Sequence, residues 1–245
     1  MNKSIDYDRV SSIYDEVRTG DPEMVHQLLH GIEPTASFRV LDVGCGTANN
    51  TLLFTKASGS KVIGLDLSFG MLCEACTKAA VLSFIQAPAD AIPFLDASFD
   101  FVFMTEVVHH LLDIDESLRE IYRVLDNGGL VCIVTQSHKQ IEGRMTSRFF
   151  PSTIAIDQAR YPSITSLEDS LRSVGFSEIH VDSYQFEPVR LGDDYLETVE
   201  KRGYSMLHKI SDIEYQAGLE KLRATLERGI SLDYSAGYSF VWASK

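Results

Sequence analysis

Two glycines and three aspartates carry the sharpest chemical pattern in this sequence. Val40-Leu41-Asp42-Val43-Gly44-Cys45-Gly46-Thr47-Ala48-Asn49 reads as a buried strand that enters a glycine turn and then a helix. Glycine at 44 and 46 lets the chain turn tightly and lets a ligand approach the main chain closely. The next apolar run, KVIGLDL, ends at Asp66, 20 residues beyond Gly46. That spacing sets a carboxylate at the tip of the neighbouring strand, where it can accept hydrogen bonds from both hydroxyls of a ribose. Asp66 could instead cap the following helix, but Ser68 is an equally good cap. The third feature is Ala87-Pro88-Ala89-Asp90-Ala91-Ile92-Pro93-Phe94, just past another short apolar run. Asp90 beside Ile92 and Phe94 offers what an adenine needs, an acceptor for its amino group and flat apolar walls. The alternative for Asp90 is a loop carboxylate that satisfies local backbone donors.

Positioning these groups requires strands that stop at one edge of a sheet. Short apolar runs begin at Arg39, Lys61, Leu82, Phe99 and Leu130. They are short and continuously apolar, as strands buried on both faces are. Candidate helices lie between them, at about 49–58, 68–79 and 115–125. This alternation predicts a parallel sheet with helices on both sides. Two more strands are expected from Glu178 and from Tyr238, separated by a long helical stretch from Asp193 to Arg228. Residues 139–163 are polar, contain Pro151 and Pro162, and predict a short helix. Insertions of this kind near strand ends commonly serve as lids or binding elements.

A glycine turn followed by an acid also suits a nicotinamide dehydrogenase, but Asn49 stands where the third glycine of that fingerprint belongs. The downstream segments differ as well. LDVGCGTAN, GLDLS, APADAIPF, SFDFVFMTEVVHHL and EIYRVLDNGGLVCIV, taken in order from about Arg39 to Val134, resemble the successive motifs of the class I S-adenosylmethionine-dependent methyltransferases. The likeness is to the subgroup that methylates small molecules. Asp126-Asn127-Gly128-Gly129 stands where that family commonly has Lys-Pro-Gly-Gly, and the two glycines are expected to make the turn without the proline.

The resemblance implies a Rossmann-like, doubly wound α/β fold: a seven-stranded, mostly parallel sheet whose last strand is antiparallel, with helices on both faces. It implies one methyltransferase domain over 1–245, with lid helices in 1–30 and acceptor-cap insertions at 139–165 and 190–230. It also implies a set of roles. Gly44, Cys45 and Gly46 line the methionine and ribose portion of S-adenosylmethionine. Asp42 lies near the methionine amino group. Asp66 holds the ribose, with Leu67 and Met71 near the adenine, and Ala89 and Asp90 contact that base. Thr105 and Glu106 face the sulfonium and the acceptor. Tyr14 and Arg18, four residues apart on one helical face, belong to the lid, and Arg18 is a candidate partner of the methionine carboxylate.

The methyl sulfonium is an activated electrophile, so the chain has mainly to align an acceptor in line with the methyl and to exclude water. A general base is needed only when the acceptor must lose a proton. His109, His110 and Glu106, just past the fourth strand, are the candidates. On an α-helix the two histidines would point about 100° apart, so one of them is expected to reach the site. Arg144, Arg148 and Arg160, interleaved with Phe149, Phe150 and Tyr161, suit a carboxylate or a planar acceptor, although they could equally balance an acidic surface.

The formal net charge of −13 over 245 residues disfavours nucleic acid and acidic membrane surfaces as partners. No run approaches the length of a membrane span, and the N-terminus has no apolar signal core, which leads to the expectation of a cytoplasmic protein. Cys73 and Cys76 form a C-x-x-C without a second pair, so no metal is expected and the cysteines read as packing residues. The partners expected are a small-molecule acceptor and a possible second copy of the chain. A non-catalytic alternative keeps the same fold as a cofactor-binding regulator or inactive scaffold.

Overall fold

β-branched and aromatic residues recur in the runs that become strands, and their burial follows from their place in the sheet. In a computed structural model, which describes residues 19–245, these runs are β1 (Arg39–Val43), β2 (Lys61–Asp66), β3 (Ser83–Gln86), β4 (Phe99–Thr105), β5 (Leu125–Thr135) and β6 (Ser177–Gln185). Two short strands, β7 (Val189–Leu191) and β8 (Leu232–Tyr234), pair with each other as an antiparallel ribbon. The last strand is β9 (Gly237–Ser244).

The main sheet has the order β3-β2-β1-β4-β5-β9-β6. β1 is parallel to β2 on one side and to β4 on the other, while β9 runs antiparallel to β5. This is the expected seven-stranded, doubly wound sheet. The winding reverses between β1 and β4, and a crevice that binds ligands is expected beyond the carboxyl ends of strands at such a point.

The described residues form two compact units. The larger takes the chain through Thr135, then Ile164–Ser183 and Ser239–Lys245. It contains helices α1 (Pro22–His30), α2 (Asn49–Ser58), α3 (Phe69–Lys78) and α4 (Ile114–Val124). Leu41, Val102, Met104, Leu118, Ile121, Val131 and Ile133 form the centre of its core. At the amino ends of the strands Arg39 and Asp100 pair at 2.5 Å, and the guanidinium holds the Asp100 carboxyl below its ordinary range. Asp100 therefore fastens the sheet on the edge away from the glycine turn.

The smaller unit comprises Gln136–Ser163 and Tyr184–Tyr238. Most of the two expected insertions falls within it. The first holds three short helices rather than one, α5 (His138–Glu142), α6 (Met145–Phe149) and α7 (Ser152–Gln158). Gly143 ends the first and Pro151 precedes the third. Helix α8 (Ile164–Val174) follows in the larger unit. The long helical stretch is likewise broken into α9 (Asp193–Glu200), a 3-10 turn at Ser205–His208 and α10 (Asp212–Glu227). Arg202 takes a left-handed conformation at φ +50°, which helical periodicity does not reveal, and Ser211 caps the new start by accepting from Glu214 N. Phe150, Val199, Leu207, Leu219 and Leu222 build this unit's core. Gly218 lets α10 approach closely, since a Cβ there would stand 2.3 Å from Phe150 Cε1.

Two expectations need correction in the larger unit. β3 is not buried on both faces, because it ends the sheet and leaves its first and last residues exposed. Asp126–Gly129 is not a turn ahead of β5 but an irregularity inside it. Leu125 pairs with Phe99 and Leu130 with Phe101, and Gly128 bends the extra residues outward at φ +78°.

Candidate active site

Four strand ends bring the chemically active residues together. β1 delivers Asp42 and runs into the glycine turn, β2 delivers Asp66, the loop after β3 carries Asp90, and β4 ends at Thr105. Gly44 N and Cys45 N both donate to Leu65 O, at 2.7 and 3.0 Å, which ties the turn to the end of β2. Gly44 (φ +77°) and Gly46 (φ +53°) are both left-handed. At Gly44 a Cβ would strike Val107 Cγ2 at 2.4 Å, so glycine is required there for packing. At Gly46 no atom lies within 4 Å of the Cβ position, so the main chain faces open space. Ala48, the residue that precedes helix α2, is also left-handed at φ +64°, and the helix has no side-chain cap and no acidic residue in its first turn. The positive end of that helix therefore adds to the field at the turn.

Asp66 does not cap α3; Ser68 does, accepting from Met71 N at 3.1 Å. Asp66 is nonetheless engaged. Its Oδ2 accepts from Gly46 N and its Oδ1 from Ser68 N, each at 2.8 Å. These bonds fix the orientation of the carboxylate beside the glycine turn.

Asp42 is 1 % exposed. Thr51 Oγ1 donates to its Oδ2 at 2.6 Å, while its Oδ1 is buried with no hydrogen-bond partner. Burial, and to a lesser degree the Asp66 charge, pushes this carboxyl up to about 7 against the favourable bond from Thr51. Cys45 lies beside it, with Sγ 2.8 Å from where a Cβ of Gly64 would stand. Burial, and after it the Asp42 and Asp66 charges, push the thiol well above its ordinary value.

Asp90 is half-buried and makes no hydrogen bond to any described residue. Local backbone donors do not occupy it, because α4 holds this loop. Glu120 accepts from Ile92 N at 2.8 Å, and Arg123 donates to the carbonyls of Ile92 and Phe94 at 2.8 and 2.7 Å. The Arg123 bond lowers the Glu120 carboxyl below its usual range. Nothing in the sequence distinguishes Glu120 and Arg123 from an ordinary surface pair three residues apart. Ala89 is half-buried beside Asp90, whereas Leu67 is 64 % exposed after β2. Met71 is 2 % exposed and belongs to the core, while Phe69, 62 % exposed, is the apolar side chain of α3 that stands open.

Thr105 accepts at 3.2 Å from Asn50 Nδ2, and Asn50 Oδ1 in turn accepts from Asp21 N at 2.9 Å. Glu106 follows with a left-handed backbone at φ +58°. Such a conformation is strained for a residue with a side chain and is characteristic of functional sites. Its N–H is fixed to Val134 O at 2.9 Å. Thr135, at the end of β5, is fully buried with no partner for its hydroxyl, a feature that became visible only in the structure.

The two histidines differ from expectation. Val108–His110 is a 3-10 turn, not part of an α-helix, and the rings lie together with centroids 4.1 Å apart. Leu111 is extended, so the turn cannot propagate and the side chains do not diverge along a helix. His109 is half-buried and His110 exposed. Tyr14 and Arg18 lie outside the described residues, as does most of the expected lid in 1–30.

Comparison with known proteins shows the family. A family model described as a methyltransferase domain matches residues 41–133, the stretch from β1 into β5. The malonyl-[acyl-carrier protein] O-methyltransferase of Erwinia pyrifoliae is 30 % identical over 179 residues, covering 63 % of this chain and 68 % of that protein. The chain belongs to the class I S-adenosylmethionine-dependent methyltransferases. The enzyme of the same name from Yersinia pestis is 28 % identical to this methyltransferase over 199 residues, 71 % of this chain and 74 % of the relative. Among solved structures, a putative methyltransferase from an antibiotic biosynthesis pathway of Anabaena variabilis matches with a TM-score of 0.76 at 18 % identity. It covers 94 % of this chain and all of the other, a likeness of fold.

The site's residues fit the methyltransferase's cofactor. The buried Asp42 Oδ1 without a partner suits a cationic ligand, the open face of Gly46 admits a close approach, and Asp66 sets a carboxylate beside that turn. Among the described residues, no helix is long and apolar enough to cross a membrane.

Proposed function

We propose that the chain transfers a methyl group from S-adenosylmethionine to a small-molecule acceptor by direct in-line displacement. The observation that carries this reading is the buried Asp42 carboxylate with an unpartnered oxygen, set under a glycine turn that Asp66 clamps. When bound, S-adenosylmethionine supplies a methyl on a sulfonium that is already activated toward nucleophiles. The chain's own task is to bind and orient. Asp66 accepts from the ribose hydroxyls, Asp90 accepts from the adenine amino group, and Asp42 supplies negative charge beneath the cationic portion. Leu67 and Phe69 cover the base.

An oxygen acceptor is favoured by the malonyl-[acyl-carrier protein] O-methyltransferases among the relatives. A carboxylate acceptor is deprotonated at neutral pH and needs no base. A hydroxyl acceptor would lose its proton to His109, which is more enclosed than His110.

The test is a calorimetric titration with S-adenosylmethionine and S-adenosylhomocysteine, with NAD as control, followed by an acceptor screen with labelled methyl groups. Micromolar binding of the sulfur nucleosides without NAD binding is expected. Absence of nucleoside binding, or a saturated protein that methylates nothing, would remove the catalytic reading.

A further inference from the structure

Cysteine spacing points to no metal, but His26 and His30 stand four residues apart on one exposed face of α1. At that spacing helical side chains lie one above the other. The two rings meet edge to face, with centroids 4.4 Å apart and planes at 80°. Their Nε2 atoms are 3.3 Å apart, closer than the ring centres, so the nitrogens turn toward one gap. With no metal between them, one ring carries a proton on Nε2 and donates it to the other.

The same separation suits a metal ion. Zinc–nitrogen bonds of about 2.0–2.1 Å at a tetrahedral angle set two imidazole nitrogens about 3.3–3.4 Å apart. Helical histidines at this spacing supply two of the ligands in H-E-x-x-H zinc sites. Imidazole also selects among cations, because it suits zinc, nickel and copper while magnesium and calcium take oxygen ligands. Among the described residues no third His, Cys, Asp or Glu completes a cluster, so an ion held here keeps its other positions for water.

The helix that carries the pair is held at both ends by other groups. Asp21 caps its start, accepting from Met24 N at 2.9 Å. Gly31, after its last turn, lies against Trp242, where a Cβ would stand 2.3 Å from Cη2. The backbone therefore presents both rings at a set spacing, which lowers the cost of ordering them around an ion.

We propose that His26 and His30 form a two-histidine chelate for a zinc-class divalent cation, bound through both Nε2 atoms with each ring proton on Nδ1. The site is independent of the methyltransferase function.

The test uses the untagged full chain carrying Cys73→Ser and Cys76→Ser, which removes the exposed thiols as rival ligands. Calorimetry should show saturable binding of zinc chloride and none of magnesium chloride. His26→Ala and His30→Ala each leave one imidazole and should weaken zinc binding about tenfold or more, since the second contact of a chelate is made at high effective concentration. Both side chains are exposed, so each variant should keep the metal-free melting temperature. Zinc should raise the melting temperature and slow amide exchange along Pro22–His30 in the parent protein and in neither variant. No saturable zinc binding, equal binding of magnesium, unchanged affinity in either histidine variant, or zinc binding that leaves exchange along α1 unaltered would overturn the site.

Discussion

Asp66 Oδ2 accepts the backbone N–H of Gly46 at 2.8 Å, so the carboxylate at the tip of β2 holds the glycine turn that follows β1. In the proposed function the same side chain serves two purposes, as an acceptor for a ribose and as the clamp that shapes the main chain beside it. Its second oxygen holds Ser68 N, which sets the start of α3.

Replacing Asp66 by Ala removes both purposes together. Cofactor affinity should fall by about 1.5–3 kcal/mol for each charged hydrogen bond lost to the ribose. Asp66→Asn separates the effects, since its carbonyl oxygen can accept from one of the two backbone donors while its amide cannot. Calorimetry should rank wild type above Asn and Asn above Ala, and equal affinity in all three would remove Asp66 from the cofactor site.

Gly44 and Gly46 should respond oppositely to a methyl group. Both are left-handed, which costs an L-residue about 1–2 kcal/mol. Gly44→Ala adds a clash with Val107, so its loss should appear as a lowered melting temperature. Gly46→Ala projects its methyl into open space, so the domain should melt near the strain cost alone while cofactor affinity falls further than stability. A Gly46→Ala protein with full cofactor affinity would mean that the ligand does not approach this face.

Much of this site was legible because it depends on strand ends. A short apolar run fixes where a strand stops, and a glycine or aspartate at that stop is placed by the sheet, as for Gly44 and Asp66. The helix over 49–58 has the expected bounds for the same reason. Features that depend on tertiary partners were not legible. Glu120 and Arg123 gain their role only because α4 lies against the loop after β3. Arg144 and Arg160 looked alike in sequence, and both donate Nη1 to Asp157, yet Arg144 also donates Nε to Gln136 while Arg160 donates to Ser205. The 3-10 turn at His109 and His110 follows from the left-handed Glu106 and extended Leu111 on either side, which periodicity does not report.

Asp42 should make both stability and cofactor binding depend on pH. Its carboxyl is raised from an ordinary 3.8 to about 7, so the folded protein retains a proton that the unfolded chain has released. The resulting contribution to stability is present below about pH 4 and is lost as pH rises toward 7, on the order of 4 kcal/mol in all. Asp42→Asn should flatten this part of the profile, measured as denaturant midpoints across that range. Cofactor affinity should run the other way in the wild type, rising as pH passes through about 7 and the carboxylate ionises beneath a cationic ligand. Proton release on binding, read from calorimetry in buffers of different ionisation enthalpy, checks the second half. Binding without proton release at pH 6 would place Asp42 away from the ligand's charge.

His109 and His110 offer the last discrimination, because their rings touch while their exposure differs. If the acceptor must lose a proton, the enclosed His109 is the better placed base. His109→Ala should then depress kcat by roughly 10²–10⁴ with little change in cofactor affinity, and His110→Ala should have a much smaller effect. The acid limb of the kcat profile should vanish in the His109 variant, a signature that loss of ring packing alone would not produce. If the acceptor is a carboxylate, neither histidine is needed as a base, and both variants should retain the wild-type pH profile. Equal, large losses in both variants would instead assign the pair a shared packing role in the turn after β4.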